Sequence, residues 1–266
     1  MSEPTRKGVL LKVAYDGTRF RGWATQKGQR TVQETLDDAI KILDPGASPV
    51  RGASRTDAGV HAEGQAVAFD PSLPLQPRGW VLAINMHLPE DLCVRSARDI
   101  HFNYNPRYGS KKKRYRYRIL LDRVRDPLLH FRAWRIGWPV DVEKMKREAK
   151  AIVGTHDFGA FRSAHDPRVV TTRTITHAEI EIESPRVVAF VIEGNAFLYN
   201  MVRILVGTLV DVGRDKIPEG AIARALANPL TKEGRLLAGQ TAPAHGLTLE
   251  SIEHDLLPDA GVAWPP

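Results

Sequence analysis

Two successive runs of strand and helix signals, each in the order β-α-β-β-α-β, constrain this chain more than any other feature it carries. In the first run Val9, Leu11, Val13 and Tyr15 alternate as on a strand with one buried face, and the turn Asp16-Gly17 follows. Thr31 and Glu34 read as a capping box ahead of Val32, Leu36, Ala39, Ile40 and Leu43, which recur at helical spacing until Asp44-Pro45-Gly46. Short strands are expected over residues 50–54 and 65–69, a helix over 80–86 and a strand over 92–97.

The second run repeats the order. It predicts a strand over residues 113–121, a helix over 142–153 opened by Asp141, and period-two strands over 174–182 and 187–192. A strongly apolar helix over 197–212 ends at Gly213, a smaller helix covers 221–227, and a last strand covers 247–252. The fold class is therefore α+β: two similar lobes with helices on antiparallel or mixed sheets, and a central cleft between them for a site. The expected division is residues 1–106, the N-terminal lobe, and 107–266, the C-terminal lobe. The repeat is one of pattern and not of residues.

Lys and Arg outnumber Asp and Glu by 38 to 31, a net charge of +7, which favours an anionic partner such as nucleic acid. Cys93 is the sole cysteine, so neither an internal disulfide nor a thiolate cluster is available, as suits a reducing compartment. The first eight residues lack the apolar core of a signal peptide. The longest apolar run, residues 204–212, is interrupted by Thr208 and Asp211 and is too short to span a bilayer. These features predict a soluble, cytoplasmic protein that does not enter membranes.

The stretch richest in chemistry is Gly52-Ala53-Ser54-Arg55-Thr56-Asp57-Ala58-Gly59-Val60-His61-Ala62, between two short strands. A loop on a rigid sheet is a favoured place for catalytic groups. Arg55 beside Asp57 would keep the carboxylate ionised and oriented as a nucleophile. The competing view is an Asx-type turn with Arg55 as a surface charge, and local chemistry alone weighs the two equally.

Six of the eight residues in Lys111-Lys112-Lys113-Arg114-Tyr115-Arg116-Tyr117-Arg118 are basic. On a strand Arg114, Arg116 and Arg118 share one face while Tyr115 and Tyr117 share the other. A basic row suits phosphates and an aromatic ring suits an unpaired base; an ordinary strand with tyrosines inward and arginines in water has the same pattern. Arg203 lies near the buried stripe Met201, Leu205, Val206 and Leu209. A guanidinium held there needs a carboxylate, with Asp57 as candidate, unless it snorkels to solvent.

His61-Ala62-Glu63 matches half of a zinc deaminase signature, but one cysteine cannot supply the other half. No phosphate-binding loop or dinucleotide fingerprint is present, and nothing nearby completes a metal set around Asp57 and His61. His156-Asp157 reads as a structural turn at a helix end. No metal or nucleotide cofactor is expected.

Taken together, these segments resemble the bacterial-type tRNA pseudouridine synthase A family, from about Val13 to Leu249. The pieces occur in the family's order: Tyr15-Asp16-Gly17-Thr18 with Gly22-Trp23, Thr31-Val32-Gln33, and Arg55-Thr56-Asp57-Ala58-Gly59-Val60-His61. Then come Arg114-Tyr115-Arg116-Tyr117, Asp157-Phe158 with Phe161-Arg162, Asn195-Ala196-Phe197 with Met201-Val202-Arg203, and Ala242-Pro243 with Gly246-Leu247. Ala24, where relatives often carry Gln, and a slightly long segment over residues 228–234 depart from the pattern.

The resemblance implies the pseudouridine synthase fold. It also implies isomerisation of uridine to pseudouridine in the anticodon stem-loop of tRNA (positions thirty-eight to forty) by a cofactor-free homodimer. By position it makes Asp57 the catalytic aspartate, Arg55 its motif neighbour, Tyr115 the ring on the target base, and Arg203 the partner of the carboxylate. Arg114, Arg116 and His61 are further candidate substrate contacts. Two other readings stand beside it, a pseudouridine synthase acting on another structured RNA and a catalytically idle RNA chaperone.

Overall fold

The computed structural model describes residues 7–255. In chain order these form β1 (Lys7–Tyr15), α1 (Val32–Leu43), β2 (Arg51–Gly52), β3 (His61–Phe69), α2 (Pro77–Asn85), β4 (Leu92–His101) and β5 (Ser110–Leu121). There follow β6 (Trp134–Ile136), α3 (Val142–Lys150), β7 (Gly154–Asp157), β8 (Thr172–Ser184), β9 (Val187–Gly194), α4 (Met201–Gly213), α5 (Ala221–Ala227), α6 (Lys232–Leu237) and β10 (Leu247–His254). The class is α+β, with antiparallel pairing dominant. Among the described residues no helix is long and apolar enough to cross a membrane.

Of the described residues, 7–111 with 249–255 form one compact unit and 112–248 the other. The expected boundary at residue 106 thus moves to Lys111, and most of β10 leaves the C-terminal lobe. The reason is pairing: β10 lies beside β3, a strand of the first unit.

In the first unit β1 pairs antiparallel with β3, Val9 opposite Phe69, and with β4, Val9 opposite Asp99. Both faces of β1 are covered, which is why Leu10 and Leu11 are both buried. On one face Leu10 joins Ala53, Ala66, Ala68, Ile100 and Tyr104. Phe69 meets Trp80 of α2 edge-on, with ring centroids 5.1 Å apart. Helix α1 buries Val32, Leu36, Ala39 and Ile40, as its periodicity requires. The expected capping box does not form: Thr31 is the N-cap residue, but its side chain makes no cap hydrogen bond.

In the second unit the strand order is β5-β9-β8-β7, with β6 parallel to β5. Strand β9 is buried on both faces, hence its continuous apolar run. Every residue of α4 except Arg203 is buried. That helix starts at Met201 and not at Phe197, because Asn200 takes a left-handed conformation (φ 61°) that no helix continues through. Strands β6 and β7 and helix α6 were not expected. His156 and Asp157, read as a turn, lie on β7 opposite Arg173 and Thr172.

Candidate active site

Asp57 sits in the loop between β2 and β3, half-buried. Its carbonyl accepts the Val60 N–H at 3.1 Å, closing a tight turn whose third residue, Gly59, has φ 81°. A side chain there would be strained, which fixes glycine at that place. On either side the loop is tied to neighbours by polar contacts. Tyr15 Oη and Thr56 Oγ1 lie 2.8 Å apart, and the Trp23 N–H donates to the Thr56 carbonyl at 3.0 Å. The buried Gln65 amide clamps Ser54 twice, accepting its N–H at 3.1 Å and donating to its carbonyl at 2.6 Å.

Close approach completes the cradle. A Cβ on Gly17 would lie 2.0 Å from the Val60 carbonyl oxygen, and one on Gly22, at φ 92°, would lie 2.8 Å from that of Thr56. The segments Tyr15-Asp16-Gly17 and Gly22-Trp23 therefore press their backbones against the Asp57 loop. Sequence reading placed them in the pattern without seeing that task; their glycines, next to chemistry-bearing residues, were the available signal.

Two further expected site residues, His61 and Arg55, border this loop. His61 is only 3% exposed, and its ring buttresses the loop. Its Nδ1 accepts the Gly17 N–H at 3.0 Å and lies 3.1 Å from Asp16 Oδ1. Arg55 is exposed, and among the described residues no ion pair joins it to Asp57. Its neighbours in the loop, Ser54 and Thr56, are buried, and Arg55 between them faces water.

In the second unit β5 divides its chemistry between two faces, as its alternation predicts. Tyr115 is buried, edge-on to Phe197 at 5.1 Å between centroids. Tyr117 is fully buried and donates its hydroxyl to the Pro243 carbonyl at 2.7 Å. Burial pushes the Tyr117 phenol far up, and the nearby Arg203 charge only partly offsets this. On the other face the arginines meet a row of carboxylates. Arg114 pairs with Glu193, Arg116 with Glu181 at 2.7 Å and Glu183 at 2.9 Å, and Arg118 with Glu183 at 2.8 Å. The arginine row expected from the alternation thus forms, on the face opposite the tyrosines. Their charge is offset by acids of β8 and β9, which sequence distance concealed.

Arg203, on the first turn of α4, is partly buried and held by its own unit. Its Nε donates to the Ala242 carbonyl at 2.7 Å and its Nη1 to Asn200 Oδ1 at 2.8 Å. The Ala242 N–H returns a bond to the Arg203 carbonyl at 3.1 Å. A guanidinium anchored through two of its nitrogens has a fixed plane. Among the described residues no group of three or more His, Cys, Asp or Glu side chains is placed to hold a metal ion.

A family model described as tRNA pseudouridine synthase matches residues 12–109 and 149–255, spanning the Asp57 loop and the Arg203 helix. The chain belongs to that family. Similar proteins include the tRNA pseudouridine synthase A of Halalkalibacterium halodurans, 43% identical over 242 residues, covering 91% of this chain and 90% of that one. That of Acetivibrio thermocellus is 40% identical, covering 92% and 99%, and that of Myxococcus xanthus 40%, covering 92% and 91%. Among solved structures, a chain of the crystal structure of a Cbf5-Nop10-Gar1 complex aligns with a TM-score of 0.33 at 14% identity. That alignment covers 79% of this chain and 55% of the other. The protein is a tRNA pseudouridine synthase, an isomerase.

Proposed function

We propose that this enzyme isomerises uridine in the anticodon stem-loop of tRNA, as a homodimer in the cytoplasm, with Asp57 as its catalytic carboxylate. The observation that carries the reading is the construction around Asp57. A half-buried carboxylate stands on a glycine turn that Tyr15, Gly17, Gly22, Trp23 and Gln65 hold rigid. A nucleophile must meet its target within a fraction of an ångström, and a backbone-clamped turn supplies that precision.

The reaction breaks the N1–C1′ bond, turns the uracil, and joins C5 to C1′ of the same ribose, so it is redox-neutral. Asp57 either attacks C1′ or removes the C2′ proton to give a glycal; both use an ionised carboxylate. The target base must leave its stack, at roughly a few kcal/mol, before a side chain reaches it. Tyr115 supplies the apolar ring against that base, and Arg203 the cation that keeps Asp57 ionised. Its two anchors, Ala242 and Asn200, support that assignment by orienting the guanidinium in advance.

Tritium release from tRNA transcripts labelled at uridine C5 tests the reading, since joining C5 to ribose expels the label. Wild type should release it; Asp57→Ala should release none while binding tRNA within about tenfold of wild type, or roughly 1.4 kcal/mol. Release by Asp57→Ala would remove the residue from the mechanism, and release only from ribosomal RNA would replace the substrate.

A further inference from the structure

The segment over residues 122–133, which the catalytic reading does not use, is fixed at its base and presents its tip to solvent. Asp122 and Asp126 both pair with Arg186, at 2.8 and 3.3 Å. Leu129 and Ala133 pack on Leu120 and Val187. The Asp126 carboxylate also caps the turn by accepting the Leu128 N–H at 3.0 Å. What this frame displays is an aromatic surface among cations. Phe131 is 48% exposed with the His130 ring centroid 4.1 Å away, and on the same segment Val124, Leu128, Arg125 and Arg132 are exposed too.

The surface is continuous with Arg203 within the same unit. The Phe131 ring meets His245 edge-on at 6.3 Å. His245 is three residues from Ala242, whose carbonyl holds the Arg203 guanidinium, and two from Pro243, which holds Tyr117. Burial, aided by the Arg203 charge and opposed by a backbone hydrogen bond at Ala133, pushes the His245 imidazole down, so at neutral pH it is an uncharged ring beside Phe131. The segment joins an exposed ring to exposed arginines. It suits an unpaired nucleobase, whose face stacks on the ring while its phosphates meet the arginines.

We propose that Phe131, backed by His130, is a stacking platform for an unpaired nucleotide flanking the target uridine, with Arg125 and Arg132 on the adjoining phosphates. The proposal rests on the reading that the target base is drawn out of its stack. It adds a contact that selects RNA already opened beside the target.

The test uses the full-length enzyme and synthetic anticodon stem-loops, intact or with an abasic residue on one side of the target. On intact RNA Phe131→Ala should lower kcat/KM about tenfold, chiefly through KM, and Phe131→Trp should recover most of that. On one of the two abasic RNAs wild type and Phe131→Ala should agree within about twofold, because the stacking partner is gone. The same pattern should appear in the Kd of Asp57→Ala with and without Phe131→Ala. That arm needs no turnover, so failure of the catalytic assignment leaves it readable. An undiminished kcat/KM on intact RNA overturns the proposal. So does an equal loss on every RNA, and if the oligomer also dissociates, the patch belongs to a protein interface instead.

Discussion

In the first unit the Asp57 loop is held largely by main chain, with the Gln65 amide and Tyr15 hydroxyl beside it: a glycine turn, backbone donors and acceptors, and two glycines whose Cβ positions are filled by neighbouring carbonyls. In the second unit Tyr115 and Arg203 are held through their own side chains, Tyr115 against Phe197 and Arg203 by Asn200 and the Ala242 carbonyl. The difference teaches where each half is fragile. A main-chain cradle has no room for an added methyl, whereas a side-chain assembly fails when an atom is taken away.

The largest effect expected from breaking the side-chain half is that of Arg203→Met. It removes the anchored charge, and kcat should fall about 100- to 1000-fold. A fully active and stable variant would end its assignment to the carboxylate. For the main-chain half, Gly17→Ala should displace the Asp57 loop and cost about 100-fold in kcat with an intact Tyr15 and His61. It should also lower stability by about 1–3 kcal/mol, measurable by denaturant titration, because the added methyl meets a backbone oxygen that cannot yield. If Gly17→Ala is silent, the close approach does not position the loop.

Tyr115 sharpens the contrast more finely. Tyr115→Phe keeps the ring and should retain most activity, while Tyr115→Ala should lose at least about tenfold in kcat/KM. Equal losses would move the task to the hydroxyl. The smallest effect is expected from Arg116→Gln, because Glu181 and Glu183 already offset that charge. Its salt slope of tRNA binding should change by well under 1, where a true phosphate contact would remove about 1.

Much of this was legible beforehand for a physical reason. Local periodicity reports which face of a segment is buried, so α1, β5, β8 and β9 were placed within a few residues of their observed bounds. Segments without that signal were missed. Strand β7, Gly154–Asp157, has no apolar alternation, and β6 is only Trp134–Ile136. The start of α4 was misplaced because Phe197 and Leu198 continue the apolar pattern while the αL backbone of Asn200 breaks the helix, and periodicity does not report φ. At the site, Asp57 stood out through its loop. The buried state of His61, the outward turn of Arg55 and the carboxylates facing Arg114 and Arg116 depend on residues distant in sequence.

By itself, then, the sequence determined the α+β class, the family and the segments bearing the chemistry, because these follow from short-range pattern and from residues in a fixed order. Only the tertiary structure decided which charges are offset, which rings are buried, and why Gly17 and Gly22 must be glycine. It also drew β10 to the strand partners of the first unit. Each of those depends on which distant segments approach within a few ångströms, and that distance is set by packing the whole chain.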